Sequence, residues 1–172
     1  SSAIGEGKLA NLALTGRDGT FTVKGTTQPG LWLGEGLTSR LLAPETSVDL
    51  VAKLDKRRVD LNGNLASAAA TMTAKGVIDL SKNEYEDLDL GFALLRPSTF
   101  ANNVSGANVR GRALLNGAMS TPIISYNVTA DRLAFDKTTL EGLVATGEAR
   151  VDTDRIRIPV SARVRRVSGL NE

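Results

Sequence analysis

Residues 155–165 read Arg-Ile-Arg-Ile-Pro-Val-Ser-Ala-Arg-Val-Arg, with an apolar side chain at every second position. Alternation of period two places successive side chains on opposite faces of an extended strand, one face buried and the other solvated. The same alternation recurs in five earlier runs, at residues 47–55, 58–65, 71–80, 87–94 and 124–130. No segment shows the sustained i, i+3, i+4 spacing of an amphipathic helix. The sequence therefore predicts an all-β chain.

Short clusters of turn-forming residues separate the alternating runs. They are Arg17-Asp18-Gly19-Thr20, Asp55-Lys56-Arg57, Ser81-Lys82-Asn83, Ser120-Thr121-Pro122 and Asp152-Thr153-Asp154. Connections of hairpin length imply that consecutive strands are antiparallel neighbours, so we expect a meander of about ten long strands. Two segments interrupt it. Residues 96–103 are expected to form a short helical turn, and residues 37–43 fit either a strand or a short helix closed by Pro44.

The composition of the 172-residue chain is that of a globular domain and excludes several kinds of active site. Hydrophobic residues make up 41% and charged residues 23%, and no linker is evident, so residues 1–172 are expected to form one domain. The chain has no cysteine and no histidine, which excludes a Cys/His zinc site, a disulfide framework, a Ser-His-Asp triad and a thiol nucleophile. We expect no enzyme activity, no cofactor and no metal site.

The charged residues match no binding motif. The net charge is only +2 and aromatic residues make up 4%, which disfavours nucleic acid as a partner. The acidic residues Glu84, Glu86, Asp87 and Asp89 lack the Asp-x-Asp-x-Asp-Gly pattern of a calcium loop. We interpret this acidic run as a solvated strand entrance.

The polar side of the last alternating run is basic. It carries Arg155, Arg157, Arg163, Arg165 and Arg166. We interpret these arginines as a solvated outer face and a charged edge that hinders strand-to-strand aggregation. Contact of the same side chains with lipid headgroups stays open.

Small residues interrupt the apolar side of the predicted strands. Gly63, Gly76, Gly111 and Gly147 fall near the middle of strands, where glycine marks a bend, a bulge or a close approach. Alanines such as Ala74 lie on the same side. A face of this kind is lined but not filled by its own side chains. Either two sheets pack unusually close together, or the space belongs to a ligand.

The order of motifs in residues 104–169 carries a family resemblance. A strand is followed by Asn-Gly, Thr-Pro, a second strand with Ala-Asp-x-Leu, and a strand with a central glycine, over residues 109–117, 121–133 and 140–151. This order resembles the AsmA-like superfamily of Gram-negative envelope proteins, most closely its YdbH and TamB branches. The run Val-Asp-Leu-Asn-Gly-Asn-Leu at residues 59–65 is compatible with it, so the resemblance covers most of the chain.

The resemblance implies a long periplasmic protein that an N-terminal helix anchors in the inner membrane. Its strongly twisted sheet would curl into an open hydrophobic groove that carries phospholipids toward the outer membrane. Because this chain begins Ser1-Ser2-Ala3 without an initiator methionine, we expect a segment excised from such a protein. The implied partners are phospholipid acyl chains, neighbouring β-repeats of the same chain, and inner- or outer-membrane proteins. A long exposed apolar strip leaves dimerisation of the isolated segment open.

The predicted lipid-binding residues are the apolar residues on the inner side of the alternating runs. They are Val48, Leu50, Leu54, Val59, Leu61, Leu65, Met72, Ile78, Leu80, Leu88, Leu90, Phe92, Ile124, Tyr126, Val128, Leu143, Ile156, Ile158, Val160 and Val164. Two alternatives stay open. One is an assembly module that pairs its sheet edges with strands of outer-membrane proteins, and the other is a closed β-sandwich that only spaces neighbouring domains.

Overall fold

Antiparallel strands make up most of the structure. The computed structural model describes residues 2–4, 10–28, 36–99, 101–152 and 155–169, and within these ranges fourteen strands form one sheet. The strands are β1 (Ser2–Ile4), β2 (Ala10–Arg17), β3 (Thr20–Thr27), β4 (Thr46–Asp55), β5 (Arg58–Ser67), β6 (Ala70–Asp79), β7 (Glu84–Leu94), β8 (Val104–Ala107), β9 (Val109–Ala118), β10 (Ile123–Phe135), β11 (Thr138–Asp152), β12 (Arg155–Arg157), β13 (Ser161–Arg163) and β14 (Arg166–Ser168). The described residues also form helix α1 (Leu37–Leu42) and a 3-10 turn at Pro97–Thr99, where the sequence predicts a helical turn.

The order of strands in the sheet follows the chain from β1 to β7 and continues through β9, β10 and β11 to β12. Tight turns explain why neighbours in sequence are neighbours in the sheet. Asp18 and Gly19 have φ values of 49° and 75°, and Lys56 and Arg57 have 43° and 67°. Positive φ at both central residues gives a hairpin turn whose twist matches that of the flanking strands. The predicted antiparallel meander is confirmed.

Two rows of the sheet are each divided into separate strands that share a single register. β8 and β9 both pair with β10, with Val104 opposite Phe135 and Asn116 opposite Ile123. β12, β13 and β14 all pair with β11 in one continuous register. The last row is therefore one long edge strand that is broken at two places. Of the turn predicted at residues 152–154, Thr153 and Asp154 lie outside the described residues.

Backbone irregularities align across the C-terminal half of the sheet. Asn108, between β8 and β9, has a φ of 52°, and its Nδ2 donates a hydrogen bond to Asp131 Oδ2 in β10 at 2.5 Å. In β11, Gly142 has a φ of 62°, and a Cβ at that position would lie 3.0 Å from Cβ of Arg165. The strand register places Asn108, Asp131, Gly142 and Arg165 in one row that crosses the sheet. A line of irregular backbone thus separates the ends of β10 and β11 from the rest of the sheet.

A bulge in β7 determines which of its residues share a face. The pairing of β7 with β6 shifts by one residue beside Gly76, and its pairing with β9 shifts between Tyr85 and Leu88. Asp87 has a φ of 46° in this bulge, and Gly76 has a φ of 153°. A Cβ on Gly76 would lie 2.5 Å from Leu88 Cα, so only glycine allows this approach of the two backbones. Tyr85 and Leu88 consequently lie on the same face although they are three residues apart.

No second layer covers the sheet in the described part of the chain. The accessible surface is 11462 Å², whereas a compact protein of 18.1 kDa exposes about 8,100 Å². The largest described side chain that is less than 2% exposed is that of Thr46. The buried hydrophobic residues of the described chain are Ala69, Ala70, Leu88, Val109, Ala130 and Ala149. A closed sandwich or barrel would bury its large apolar side chains, so the predicted open all-β sheet is confirmed and the closed-sandwich alternative is wrong.

Helix α1 packs at one end of the sheet. Thr46 Oγ1 donates a hydrogen bond to Leu42 O at 2.5 Å, and Ser67 Oγ donates one to Leu41 O at 2.5 Å. The last carbonyl groups of a helix have no partner within the helix, so these two hydroxyl groups fix its end to β4 and β5. Of the two alternatives that the sequence left open for residues 37–43, the structure has the helix.

Candidate functional site

The strand register places the predicted lipid-binding residues on one face of the sheet. Residues directly opposite each other in an antiparallel pair project to the same face. One row of opposite residues crosses the sheet from β4 to β10 and consists of Val48, Leu65, Met72, Phe92, Gly111 and Val128. We call the face that carries this row the apolar face, and the opposite one the polar face.

The other predicted residues join the same face through the same pairing. Those within strands are Leu50, Leu54, Val59, Leu61, Ile78, Leu88, Leu90, Ile124, Tyr126, Leu143 and Ile156. Leu80 lies directly after β6, in the turn to β7. Ile158, Val160 and Val164 lie between the short edge strands, at positions that continue their common register. The face on which each predicted side chain lies could therefore be read from the alternation.

The apolar face remains accessible to solvent. In the middle of the sheet, Met72 is 47% exposed and Phe92 is 39% exposed. At the edge, the exposed fractions are 66% for Ile156, 58% for Ile158 and 62% for Val160. Scattered exposed apolar residues are normal, but a row of them on one face marks a surface for an apolar ligand or partner.

Large side chains of neighbouring strands cover glycines on the apolar face. The directly opposite pairs are Leu50–Gly63, Phe92–Gly111 and Tyr126–Gly147. In each pair the larger side chain lies where a Cβ on the glycine would stand. The space at these glycines is thus filled from within the same sheet, as in the covering of strand glycines by aromatic rings. Neither a second sheet nor a ligand is therefore needed to fill the space at these three glycines.

Ion pairs across strands neutralise much of the charge on the polar face. Arg112 forms a bidentate pair with Asp89, with 2.8 Å between Nε and Oδ1. The hydrogen bonds from this guanidinium hold the pKa of the Asp89 carboxyl below its usual value. Arg58 forms a second bidentate pair with Glu86, with 2.8 Å and 2.6 Å between the paired atoms. Two carboxylates of the acidic run are therefore paired with arginines, which the sequence did not predict.

A depression of about 730 Å³ lies on the polar face, over β4 to β9. Its floor is low at Gly91, which has no side chain and lies opposite the small Thr73 in β6, whereas the long side chain of Arg112 lies opposite Gly91 in β9. The side chains that line it from the polar face are Asp49, Val51, Asn62, Asn64, Thr71, Thr73, Lys75, Asp89, Ala93, Arg110 and Arg112. Sequence reasoning missed this depression because its lining residues are unremarkable in each strand taken alone.

The basic side of the last row is exposed to solvent. Its five arginines are all exposed, in agreement with the interpretation of a solvated outer face. They are Arg155, Arg157, Arg163, Arg165 and Arg166. The polar side of this row therefore stays hydrated while its apolar side faces the opposite way.

Comparisons with known proteins do not extend this description. No family model, no curated protein and no solved structure matches the chain. Among the described residues, no helix is long and apolar enough to cross a membrane. The described residues also contain no cluster of three or more acidic side chains arranged to hold a metal ion.

Proposed function

We propose that the apolar face binds phospholipid acyl chains and that the chain is a non-enzymatic segment of a periplasmic bridge for phospholipids. In this proposal the rest of the protein anchors the bridge in the inner membrane and lipids pass along it between the two membranes. The observation that carries the proposal is the apolar face itself, which extends over successive strands without a covering layer in the described part of the chain.

The energy of such binding would come from many weak contacts. Removing one methylene group from water contributes about 0.8 kcal/mol, so an acyl chain that lies across several strands gains a useful affinity. Exposed side chains such as Met72 and Phe92 can contact an acyl chain directly, because no other layer of the described structure has to be displaced from them first. The flexible thioether of methionine adapts to irregular apolar surfaces.

The pattern of the apolar face favours movement of the lipid over fixation at one place. Neighbouring rows repeat the same mixture of large and small apolar residues, so no position is much more favourable than the next. A charged headgroup would remain in water because removing its charge from solvent is costly. The proposal therefore needs no polar pocket on this face.

Photo-crosslinking at matched pairs of neighbouring residues tests the proposal. A photoreactive amino acid is placed at Met72 or at Thr73, which lie on opposite faces of β6, and at Ile158 or at Arg157 in the last row. All four positions are exposed in the described structure, so a difference in capture reports the face and not burial. The full-length protein is irradiated in its native envelope, and adducts are identified by mass spectrometry.

Each outcome of the crosslinking has one meaning. Phospholipid adducts at Met72 and Ile158, but not at Thr73 and Arg157, support a lipid-binding apolar face. Protein adducts without lipid at the Ile158–Arg157 pair indicate an edge that pairs with another protein, which is the assembly function. A folded protein that yields no lipid adduct at Met72 or Ile158 contradicts the proposal.

A further inference from the structure

The depression on the polar face has the size of a ligand site. Its volume of about 730 Å³ lies within the range of known small-molecule pockets, about 300 to 1,000 Å³. The proposed lipid function does not use it, because the depression and the apolar face lie on opposite sides of the sheet.

Some of the charged side chains at the depression form ion pairs, and others do not. The Lys24 ammonium lies 3.4 Å from Asp49, and Arg112 pairs with Asp89, so both carboxylates on the rim are neutralised. Among the described residues, Lys75 and Arg110 on the same rim have no acidic partner. The depression therefore has an excess of positive charge that attracts an anion.

The two unpaired cations stand at opposite corners of the depression. Lys75 is opposite Asp89 of β7, and Arg110 is opposite Ala93, four residues further along β7 on its other side. With the usual rise per residue and spacing between strands, their Cα atoms are roughly 16 Å apart. One compact anion would not reach both, so the arrangement suits an extended ligand with more than one acidic group.

Neutral polar side chains fill the area between the two cations. Asn62, Asn64, Thr71 and Thr73 line the depression, and within the described residues their side chains form no hydrogen bond with other groups of the protein. Amide and hydroxyl groups both donate and accept hydrogen bonds, which is what sugar hydroxyl groups require. The combination of free amides, free hydroxyls and two separated cations selects for a ligand that is rich in hydroxyl groups and carries several negative charges.

We propose that this depression is a binding site for an acidic oligosaccharide. Lys75 and Arg110 contact acidic groups on separate sugar units, and Asn62, Asn64 and Thr73 bind hydroxyl groups between them. The protein would then present two surfaces to its surroundings, with a saccharide on the polar face and the apolar face free.

Titration with defined saccharides, followed by amide chemical shifts in nuclear magnetic resonance, tests the site. The probes are trigalacturonate, which carries carboxylates, a heparin-derived tetrasaccharide, which also carries sulfates, and the neutral maltotriose. Two double variants of the full chain are compared, K75Q/R110Q and the control R157Q/R163Q. The control removes two exposed arginines of the last row, which do not line the depression, so both variants lose the same charge.

We expect at least one acidic probe to shift amides of β5 to β9 and maltotriose to bind more weakly. Binding to K75Q/R110Q should be about three- to tenfold weaker, as expected for the loss of two exposed charge contacts, and should weaken further with salt. The control should bind like the unchanged protein. The proposal is overturned if neither acidic probe shifts these amides at millimolar concentration, if maltotriose binds equally well, or if the control loses as much affinity. Lipid capture at Met72 should be the same in K75Q/R110Q, so the two proposals fail independently.

Discussion

Phe92 in β7 lies directly opposite Gly111 in β9, and its ring occupies the position that a Cβ on Gly111 would take. The ring thereby lies along the sheet and covers backbone that would otherwise be exposed. The side chain nevertheless remains 39% exposed, because nothing lies above it in the described structure. The apolar face is thus held together by contacts between neighbouring strands within one layer.

Substitution of Gly111 by alanine should destabilise the sheet, because the new methyl group takes the place of the Phe92 ring. Overpacking of this kind costs about 1 to 3 kcal/mol in the free energy of unfolding. The loss in unfolding free energy is measured by urea unfolding of G111A and of the unchanged protein. The companion variant F92A opens the space, so G111A should cost less in the F92A background. Equal costs in both backgrounds would mean that the ring does not lie over the glycine.

A carboxylate at Leu61 should weaken binding of apolar ligands while the protein stays folded. Leu61 is half-buried on the apolar face, so the expected cost of L61D in unfolding free energy is about 1 to 3 kcal/mol. Binding is measured with a fluorescent fatty acid, and folding by circular dichroism. The control is N62D on the adjoining residue, which projects from the polar face and should change neither property. Complete unfolding of L61D would instead indicate a covered core.

The Asp89–Arg112 pair should make stability depend on pH in the acid range. Hydrogen bonds from Arg112 lower the pKa of Asp89 in the folded protein. A lowered folded pKa means that the stabilisation is present above the unfolded value of about 3.9 and is lost as the pH falls through the folded pKa.

The variant D89N tests this dependence. The difference in unfolding free energy between the unchanged protein and D89N should be largest at neutral pH and should shrink below about pH 4. The control is D55N, at the exposed end of β4. A difference for D89N that stays constant from pH 7 down to pH 2 would contradict the role of this ion pair.

The last row should be less protected than the middle of the sheet. β12, β13 and β14 pair with β11 on one side, and every residue in them is exposed. Their amide hydrogens should exchange about tenfold or more faster than those of β5, which lies between β4 and β6. Hydrogen exchange followed by mass spectrometry measures this difference. Slow exchange that persists on dilution would show that another surface covers this edge.

Much of the fold could be predicted because a period of two is a local property. In residues 155–165 the alternation alone assigns Ile156 and Arg157 to opposite sides of the chain, whatever the neighbouring strand is. The turn at Asp18 and Gly19 is equally local, since its backbone geometry depends on the residues within it. The apolar residues of the candidate lipid-binding face followed from the same alternation.

What the sequence determined by itself is therefore the all-β class, the hairpin turns and the side of each strand that is apolar. The tertiary structure decided what depends on atoms in other strands. The bulge beside Gly76 brings Tyr85 and Leu88 onto one face, and the polar depression forms where Gly91 lies opposite Thr73 on one side and Arg112 on the other. Both features arise from the register between strands, which depends on hydrogen bonds between different strands and leaves no periodic trace in any one segment.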